Sequence, residues 1–564
     1  MPIRRSSMPR ALLIALVALA CAGQLGTVAS EPAPSHPYRD VLPDRRGEII
    51  ARTSEDISQY AIEAEIDAAT GAILGEQTII FTNATLEALD DVFFRLFPNA
   101  DYYGEGDLTV WDVTVDGQEV AIPVQDGDPT VLRVPLTEAL TAGEEVEITM
   151  AFETAVPADT EGSYGILNRD SVSGTWVLAD WYPILAGYEP ETGWRLDPPT
   201  SFGDPTFGDA ALYDVTLDAP PEWEMVSSGS AVSRDDDELH HWIAGPAREF
   251  SLVANAGELV AQGDITGTEL NVYAGAEMEL AAEIVYETAA AALIVYGDLL
   301  GAYPYRELDV VATPLAGAAG VSWAGIIFLD LAEFDLSRSG GPDALAFTVA
   351  HEVGHQWWGG IVGVNSNDHT FMTEGITNAS TIIFLEERAG EEAAAAALQT
   401  QIAGPYLDLL DRSGDQVVDV PIAEGQHGRG AIWYGKAALG FIAIRQEIGD
   451  EAFLAALESY ARTFAQRIAE PSDLLAAFEH ASGEDLDALW HFWFEAAETT
   501  PADVEAVVEA AEAARLLDGR GGMGDEGVPA FLDADSAVSA GDMIDNPPET
   551  LLGTGVMHGL AGDW

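Results

Sequence analysis

His351-Glu352-Val353-Gly354-His355-Gln356-Trp357-Trp358-Gly359-Gly360, with eighteen residues between His355 and Glu374-Gly375, is the stretch from which the rest of the chain can be read. Residues four apart lie one turn apart on the same helix face, so both imidazoles can reach one ion while Glu352 projects beside them. The helix this needs has a start at Gly340-Gly341-Pro342-Asp343 and a stop at Gly359-Gly360, which predicts a helix from Pro342 to Trp358. A catalytic zinc takes three protein ligands and keeps one position for water, whose pKa falls to roughly 7. Glu352 is then the candidate general base, since a carboxylate at hydrogen-bond distance can take that proton. Two histidines leave a third ligand to be found. Glu374 is the candidate, at the start of a predicted helix (Gly375 to Arg388), because an antiparallel return would bring it under the first helix. Trp357 and Trp358 read as core aromatics at the helix end.

Outward from this segment the periodicity is helical. Met278, Ala281, Ala282, Val285, Ala289, Ala292, Leu293 and Tyr296 recur at three- and four-residue spacing, and further helices are predicted at Ala431 to Ile448, Glu451 to Ala465, Ser472 to His480 and Ala502 to Leu517. Upstream the period is two. Tyr60, Ile62, Ala64 and Ile66 alternate with acids, as do Val146, Ile148, Met150 and Phe152, and Asp116-Gly117 marks a hairpin. The organisation expected is a signal segment over 1–30, a linker over 31–58, a β-domain over 59–260, a mainly helical domain over 261–500 that carries the His-Glu motif, and an acidic, Gly-rich, mostly disordered tail over 501–564.

The 564 residues carry 24 Lys plus Arg against 95 Asp plus Glu, a formal net charge of −71, with 48% hydrophobic residues. Because the apolar fraction is ordinary, the acidic excess belongs to the surface of folded domains. Such a surface repels phosphate backbones and anionic headgroups, so nucleic-acid binding is not expected. Arg4, Arg5 and Arg10 precede an apolar run, Ala11 to Ala20, too short to span a bilayer, and small-residue cleavage sites follow at Ala18-Leu19-Ala20 and Val28-Ala29-Ser30. This is the pattern of an exported protein, extracellular, periplasmic or at the cell surface, with no integral span once mature. Cys21, the only cysteine, directly follows the first site as in a lipoprotein signal, where it would carry a lipid anchor; no intramolecular disulfide can form.

HEVGHQWWGG with Glu374-Gly375 at this spacing resembles the zinc signature of the aminopeptidase N family, the gluzincins that also include leukotriene hydrolase. The resemblance implies a multidomain α+β fold: an N-terminal β-sandwich, saddle-like, followed by a mainly helical thermolysin-like catalytic domain. It implies one Zn2+ per chain held by His351, His355 and Glu374. Tyr434-Gly435-Lys436-Ala437 is similar to the family's Tyr-x-Lys-Gly segment, which implies that the Tyr434 hydroxyl stabilises the oxyanion; Ala437 departs from the family's glycine. Gly71 to Gly75 and Trp181-Tyr182-Pro183 extend the resemblance into the β-domain. The family's C-terminal helical-repeat domain has no counterpart, so a short form with a more open active-site bowl is expected.

One departure bears on specificity. The family's Gly-x-Met-Glu-Asn strand binds the substrate α-amine through its glutamate, and the matching stretch here is Gly320-Val321-Ser322-Trp323, with Ser322 at the glutamate's place. A neutral hydroxyl cannot give an ammonium the charge-assisted bond of a carboxylate. Glu307, Asp309, Asp330, Glu333 and Asp335 are the nearby acids that could replace it. Three readings follow: a secreted zinc aminopeptidase, an oligopeptidase or endopeptidase without amine recognition, and a non-catalytic binding scaffold. Retention of Glu352, the three ligands and Tyr434 favours a peptide-cleaving enzyme.

Overall fold

The alternation at Tyr60, Ile62 and Ile66 is realised in strand Ser58–Asp67, where these three are buried and Glu63 and Glu65 exposed. The computed structural model describes residues 37–518 apart from 54–56, 122–126, 191, 202–207, 233–238 and 425–428. The signal segment, Cys21 and the tail beyond 518 lie outside the described residues. Strand Ser58–Asp67 pairs antiparallel with Ala72–Thr82 and parallel with Ala211–Asp218, at the centre of an eight-stranded sheet. The hairpin at Asp116-Gly117 has both residues at positive φ, 49° and 71°, as its tight turn requires. A three-stranded sheet around Leu89–Arg95 and a four-stranded sheet around Trp176–Leu178 share one core with the large sheet, in which Trp181 and Tyr182 are fully buried.

A five-stranded mixed sheet follows, in spatial order Glu258–Ile265, Thr268–Ala274, Glu307–Thr313, Ile326–Asp330 and Gly320–Trp323. Helices Glu279–Leu300, Pro342–Gly354, Glu374–Ala389, Ala437–Ile448, Asp450–Thr463, Pro471–Ser482 and Pro501–Asp518 make up most of the rest. Their apolar faces and one face of this sheet form a second core. The expected fold class stands: a β-rich N-terminal part and a helical catalytic part.

Three local expectations are corrected. Part of the predicted linker is ordered: Arg46–Thr53 is a helix, and Tyr38, Val41 and Ile49 are buried in the same core as the catalytic helices. The apolar residues there are too few and too irregularly spaced to show a period among Pro, Arg and Asp. The strands Glu258–Ile265 and Thr268–Ala274 join the catalytic sheet, the latter pairing parallel with Glu307–Thr313, so a boundary at 260 falls inside a strand. The predicted helix from Ala431 to Ile448 opens as a π-helical turn, Ala431–Lys436, before Ala437–Ile448 becomes regular. Such widened turns cluster where a helix presents a functional side chain.

Two buried charged residues tie the parts together. Arg248, at the end of the large sheet, donates from Nε to Gly359 O (2.9 Å), from Nη1 to Gly208 O (2.9 Å) and from Nη2 to Arg467 O (3.1 Å). It thereby clamps the chain just beyond the His-Glu motif. Asp40 receives Ser230 Oγ (2.7 Å) and Gly245 N (3.2 Å) from the β part, while its carbonyl receives Arg306 N from the start of the catalytic strand.

Burial pushes the Asp40 carboxyl up to about 6, against the lowering effects of Ser230, Gly245 and Arg306. The folded chain therefore holds this proton more tightly than the unfolded chain, where the group titrates near 3.8. The resulting stability is fully present below about pH 4, is lost as pH rises through about 6, and amounts to about 3 kcal/mol. Urea unfolding of wild type and Asp40→Asn at pH 4 and pH 7 checks this. Wild type should lose about 3 kcal/mol more than the variant between the two; parallel losses would contradict it.

Candidate active site

The His-Glu motif closes helix Pro342–Gly354, with His355 just past its last residue but still helical (φ −65°, ψ −18°). The predicted helix is thus shorter than expected, yet the one-turn offset of the two imidazoles is kept. Trp357 and Trp358 are both buried, donating to Gly301 O and Ser380 Oγ, in line with the reading of core aromatics. The chain then returns through Glu374–Ala389. Glu374, its first residue, lies with Oε2 3.3 Å from His351 Nε2 and 3.2 Å from His355 Nε2, while the two Nε2 atoms are 3.0 Å apart.

The hydrogen bonds around this trio determine which atoms carry lone pairs. Asn378, one turn after Glu374, donates from Nδ2 to Tyr434 O (2.9 Å), and because a carbonyl only accepts, its Oδ1 must face His351 Nδ1 (2.8 Å). Nδ1 of His351 therefore carries the hydrogen. By the same logic His355 Nδ1 faces Trp358 O at 3.0 Å and must donate to it. Both Nε2 atoms are left as lone-pair donors beside Glu374 Oε2, a buried oxygen that accepts no hydrogen bond. Three acceptors this close repel unless a cation lies among them. Two imidazole nitrogens and a carboxylate, oriented from behind by an amide and a carbonyl, suit zinc. His351, His355 and Glu374 form this candidate metal group among the described residues. The same demand shows toward a proton: burial lowers the His355 pKa, but Glu374 and then Glu352 lift it to about 9.

Glu352 is buried against strand Gly320–Trp323. A Cβ on Gly320 would lie 2.7 Å from Glu352 Cδ, so a larger residue there would displace the Glu352 carboxyl. Burial pushes the Glu352 carboxyl up to about 8, with His355 lowering it and Glu374 raising it. Tyr434 stands on the π-helical turn with its ring 5.8 Å from that of His351. Burial, then Glu374, raises its pKa well above 10, so its hydroxyl stays protonated. Gly375 permits this turn to pack close, since a Cβ there would meet the Ala437 methyl at 2.5 Å. The departure from the family's glycine at Ala437 is thus accommodated by a glycine opposite.

Lys436, the only lysine in the chain, points away from the site. It is fully buried and donates to Asp415 Oδ2 (2.8 Å), Gln416 O (2.8 Å) and Ala496 O (2.7 Å), fixing the turn that carries Tyr434. Ser322 faces the cleft and accepts Gln356 Nε2 at 2.7 Å; Gln356 also binds Trp323 O, Gly325 N and the Tyr303 hydroxyl. The acids named as replacements for the missing glutamate, Glu307, Asp309, Asp330, Glu333 and Asp335, do not line the cleft. Its acidic lining among the described residues is Glu249, Glu352 and Glu374.

Residues 285–493 match the peptidase family M1 domain. The resemblance to the aminopeptidase N family is borne out. The chain is 27% identical over 319 residues to aminopeptidase M1-A of Oryza sativa subsp. japonica, covering 54% of this chain and 36% of that protein. It is 25% identical over 435 residues to aminopeptidase 2 of Candida albicans, covering 73% and 46%. It spans less than half the length of these curated relatives. The fold is similar to an M1 zinc metallopeptidase from Deinococcus radiodurans, with TM-score 0.55, 18% identity, and coverage of 79% of this chain and 94% of that one. A two-domain M1 zinc metallopeptidase bound to L-arginine gives TM-score 0.56 at 18% identity, covering 79% and 95%.

Asn378 is not singled out by the sequence, where it is one of several polar residues in the predicted helix Gly375 to Arg388. Its signal is an amide side chain one turn from a candidate ligand, and it is wholly buried. Asn378→Ala removes the acceptor that fixes the His351 ring. A competing chelator should then strip zinc about 10- to 100-fold more readily than from wild type; an unchanged zinc affinity would contradict this role.

Proposed function

We propose that the protein is an exported zinc-dependent peptidase that releases N-terminal residues from peptides. The observation that carries the reading is the convergence of His351, His355 and Glu374 beside Glu352 and Tyr434 in one cleft. Bound by these three ligands, zinc supplies a Lewis acid for the scissile carbonyl and a way to lower the pKa of water to roughly 7. Glu352, buried beside the donor set, takes the proton of the attacking water and returns it to the leaving nitrogen. The Tyr434 hydroxyl donates a hydrogen bond to the oxyanion as the carbonyl carbon becomes tetrahedral. Strand Gly320–Trp323 is an edge of the five-stranded sheet and lines the cleft, so an extended peptide can pair with it beside Glu352. The carboxylates of the cleft attract the ammonium of a free N-terminus. Relatives named aminopeptidases, and an M1 neighbour bound to a Tyr-Ser-Ala substrate, support a peptide substrate. Export is carried by the basic, then apolar start of the sequence.

A second reading keeps the chemistry without amine recognition. It is favoured by Ser322, which is neutral and already engaged by Gln356 where the family's glutamate would stand. Mass spectrometry of one peptide in free and N-acetylated forms separates the two. The zinc-loaded protein, expected in the exported fraction, should remove single residues from the free peptide and spare the acetylated one. Glu352→Gln should reduce the rate by about 10²- to 10⁴-fold. Internal cleavage of both forms would establish the second reading, and no cleavage of either would overturn both.

A further inference from the structure

Gln356 follows Glu352 by four residues, and its hydrogen bonds fix which way its side-chain amide is turned. Gly325 N can only donate, and it faces Oε1 at 3.0 Å, where the Tyr303 hydroxyl also donates (3.0 Å). The other end of the amide is therefore Nε2, and its two hydrogens go to Trp323 O (2.8 Å) and Ser322 Oγ (2.7 Å). Gln356 is 2% exposed, so the amide has no freedom to turn over without breaking these bonds inside the protein.

Ser322's own hydrogen is what this network leaves over. A hydroxyl has one hydrogen and two lone pairs, and an amide nitrogen offers no lone pair in return. Having accepted from Gln356, its one side-chain partner among the described residues, Oγ must turn its hydrogen elsewhere. Strand alternation sets the direction. Val321 and Trp323 pack on one face of the strand with Phe328, so Gly320 and Ser322 share the face toward the His-Glu motif, where Gly320 meets the Glu352 carboxyl. Ser322 lies two residues on, about 6.6 Å along the strand, and lines the cleft.

Accepting a hydrogen bond polarises a hydroxyl, which becomes a better donor and a poorer acceptor. Beside Glu352 the cleft wall therefore offers a hydrogen, the opposite of what an ammonium needs. An amide carbonyl is the matching group, and the main chain of an extended peptide repeats one at every residue. A substrate that displaces water from this hydroxyl without supplying an acceptor loses a hydrogen bond on binding.

We infer that Ser322 is a specificity-determining residue that donates its hydroxyl hydrogen to a main-chain carbonyl of the bound peptide. The inference rests on the peptidase reading above and deepens it by naming what this position of the edge strand reads. Two carbonyls carry this chemistry. One belongs to the residue after the cleaved bond and is present in every peptide; the other precedes the residue that carries the cleaved bond and exists only where the N-terminus is acylated or extended.

Thioamides, in which one carbonyl oxygen is replaced by sulfur, a weaker acceptor, test each carbonyl singly. A tripeptide amide with a free N-terminus is compared with its analogue bearing sulfur on the second residue, and the N-acetylated tripeptide with its thioacetyl analogue. Binding to zinc-loaded Glu352→Gln by calorimetry, and kcat/KM with active protein, are measured for both pairs, with and without substitution of Ser322. In one pair the preference for oxygen over sulfur should fall by about three- to tenfold on Ser322→Ala, the intrinsic effect of sulfur cancelling in the comparison. Ser322→Thr, which keeps the hydroxyl, should restore it. A fall in the free pair identifies the carbonyl after the cleaved bond, and a fall in the acetylated pair the one before it. Zinc content and near-ultraviolet circular dichroism establish that each variant is folded; should Ser322→Ala not fold, Ser322→Cys carries the test, with a smaller fall expected because a thiol is a weak donor.

An oxygen preference unchanged by Ser322→Ala in both pairs overturns the inference. So does coupling of Ser322 to the substrate amine, read with a tripeptide whose first residue lacks its amino group, since that would make the hydroxyl an acceptor. Ser322-dependent discrimination in binding, without cleavage of any peptide by active protein, would leave the carbonyl contact standing and remove the peptidase reading. Glu352-dependent cleavage with no coupling to Ser322 would do the reverse.

Discussion

Three lone pairs that cannot coexist without a cation hold this structure's functional part together. His351 Nε2, His355 Nε2 and Glu374 Oε2 lie within 3.3 Å of one another, each turned inward by what stands behind it. The Trp358 carbonyl turns His355, Asn378 turns His351, and Asn378 is itself oriented by the carbonyl of Tyr434. The metal group and the candidate oxyanion donor are therefore one connected assembly. Movement of the Tyr434 turn would be felt at His351 through a single amide.

That assembly is supported by packing that tolerates little change in volume. Gly320 lets the edge strand rest on Glu352, and Gly375 lets the Tyr434 turn rest on the return helix. Beneath the turn, buried Lys436 pairs with the largely buried carboxylate of Asp415, with Tyr406, Gln416 and Thr499 meeting the remaining Asp415 lone pairs. Such a pair costs several kcal/mol to desolvate, and its return lies in fixing one geometry. The β part contributes through Arg248, whose three carbonyl contacts grip the chain just beyond the motif.

How much of this the sequence disclosed depends on how local each signal is. Spacing within one helix and across one helical return is local, so His351, Glu352, His355 and Glu374 were legible from residue order. Alternation in 58–67 and the Asp116-Gly117 turn were legible for the same reason. The helix Arg46–Thr53 was not, because its few apolar residues acquire meaning only within a core shared with elements far along the chain. Asn378 and Gln356 read as ordinary polar residues until the fold places His351 and Ser322 beside them. Lys436 is the only lysine of the sequence, yet its partners lie 20, 21 and 60 residues away, so only structure shows it to be a buried anchor. Ser322 was placed correctly as a departure, but which carboxylates line the cleft in place of the missing one is a three-dimensional question.

The central claim is that one zinc is held by two imidazole nitrogens and one carboxylate oxygen from this turn and return. X-ray absorption at the zinc edge, on protein loaded with one equivalent, tests it most directly. The account predicts a shell of nitrogen and oxygen only, at about 2.0–2.2 Å, with scattering from two imidazoles that falls to one in His355→Ala. Zinc that does not bind tightly, or a shell with a sulfur ligand or an imidazole count unaffected by that substitution, would contradict it.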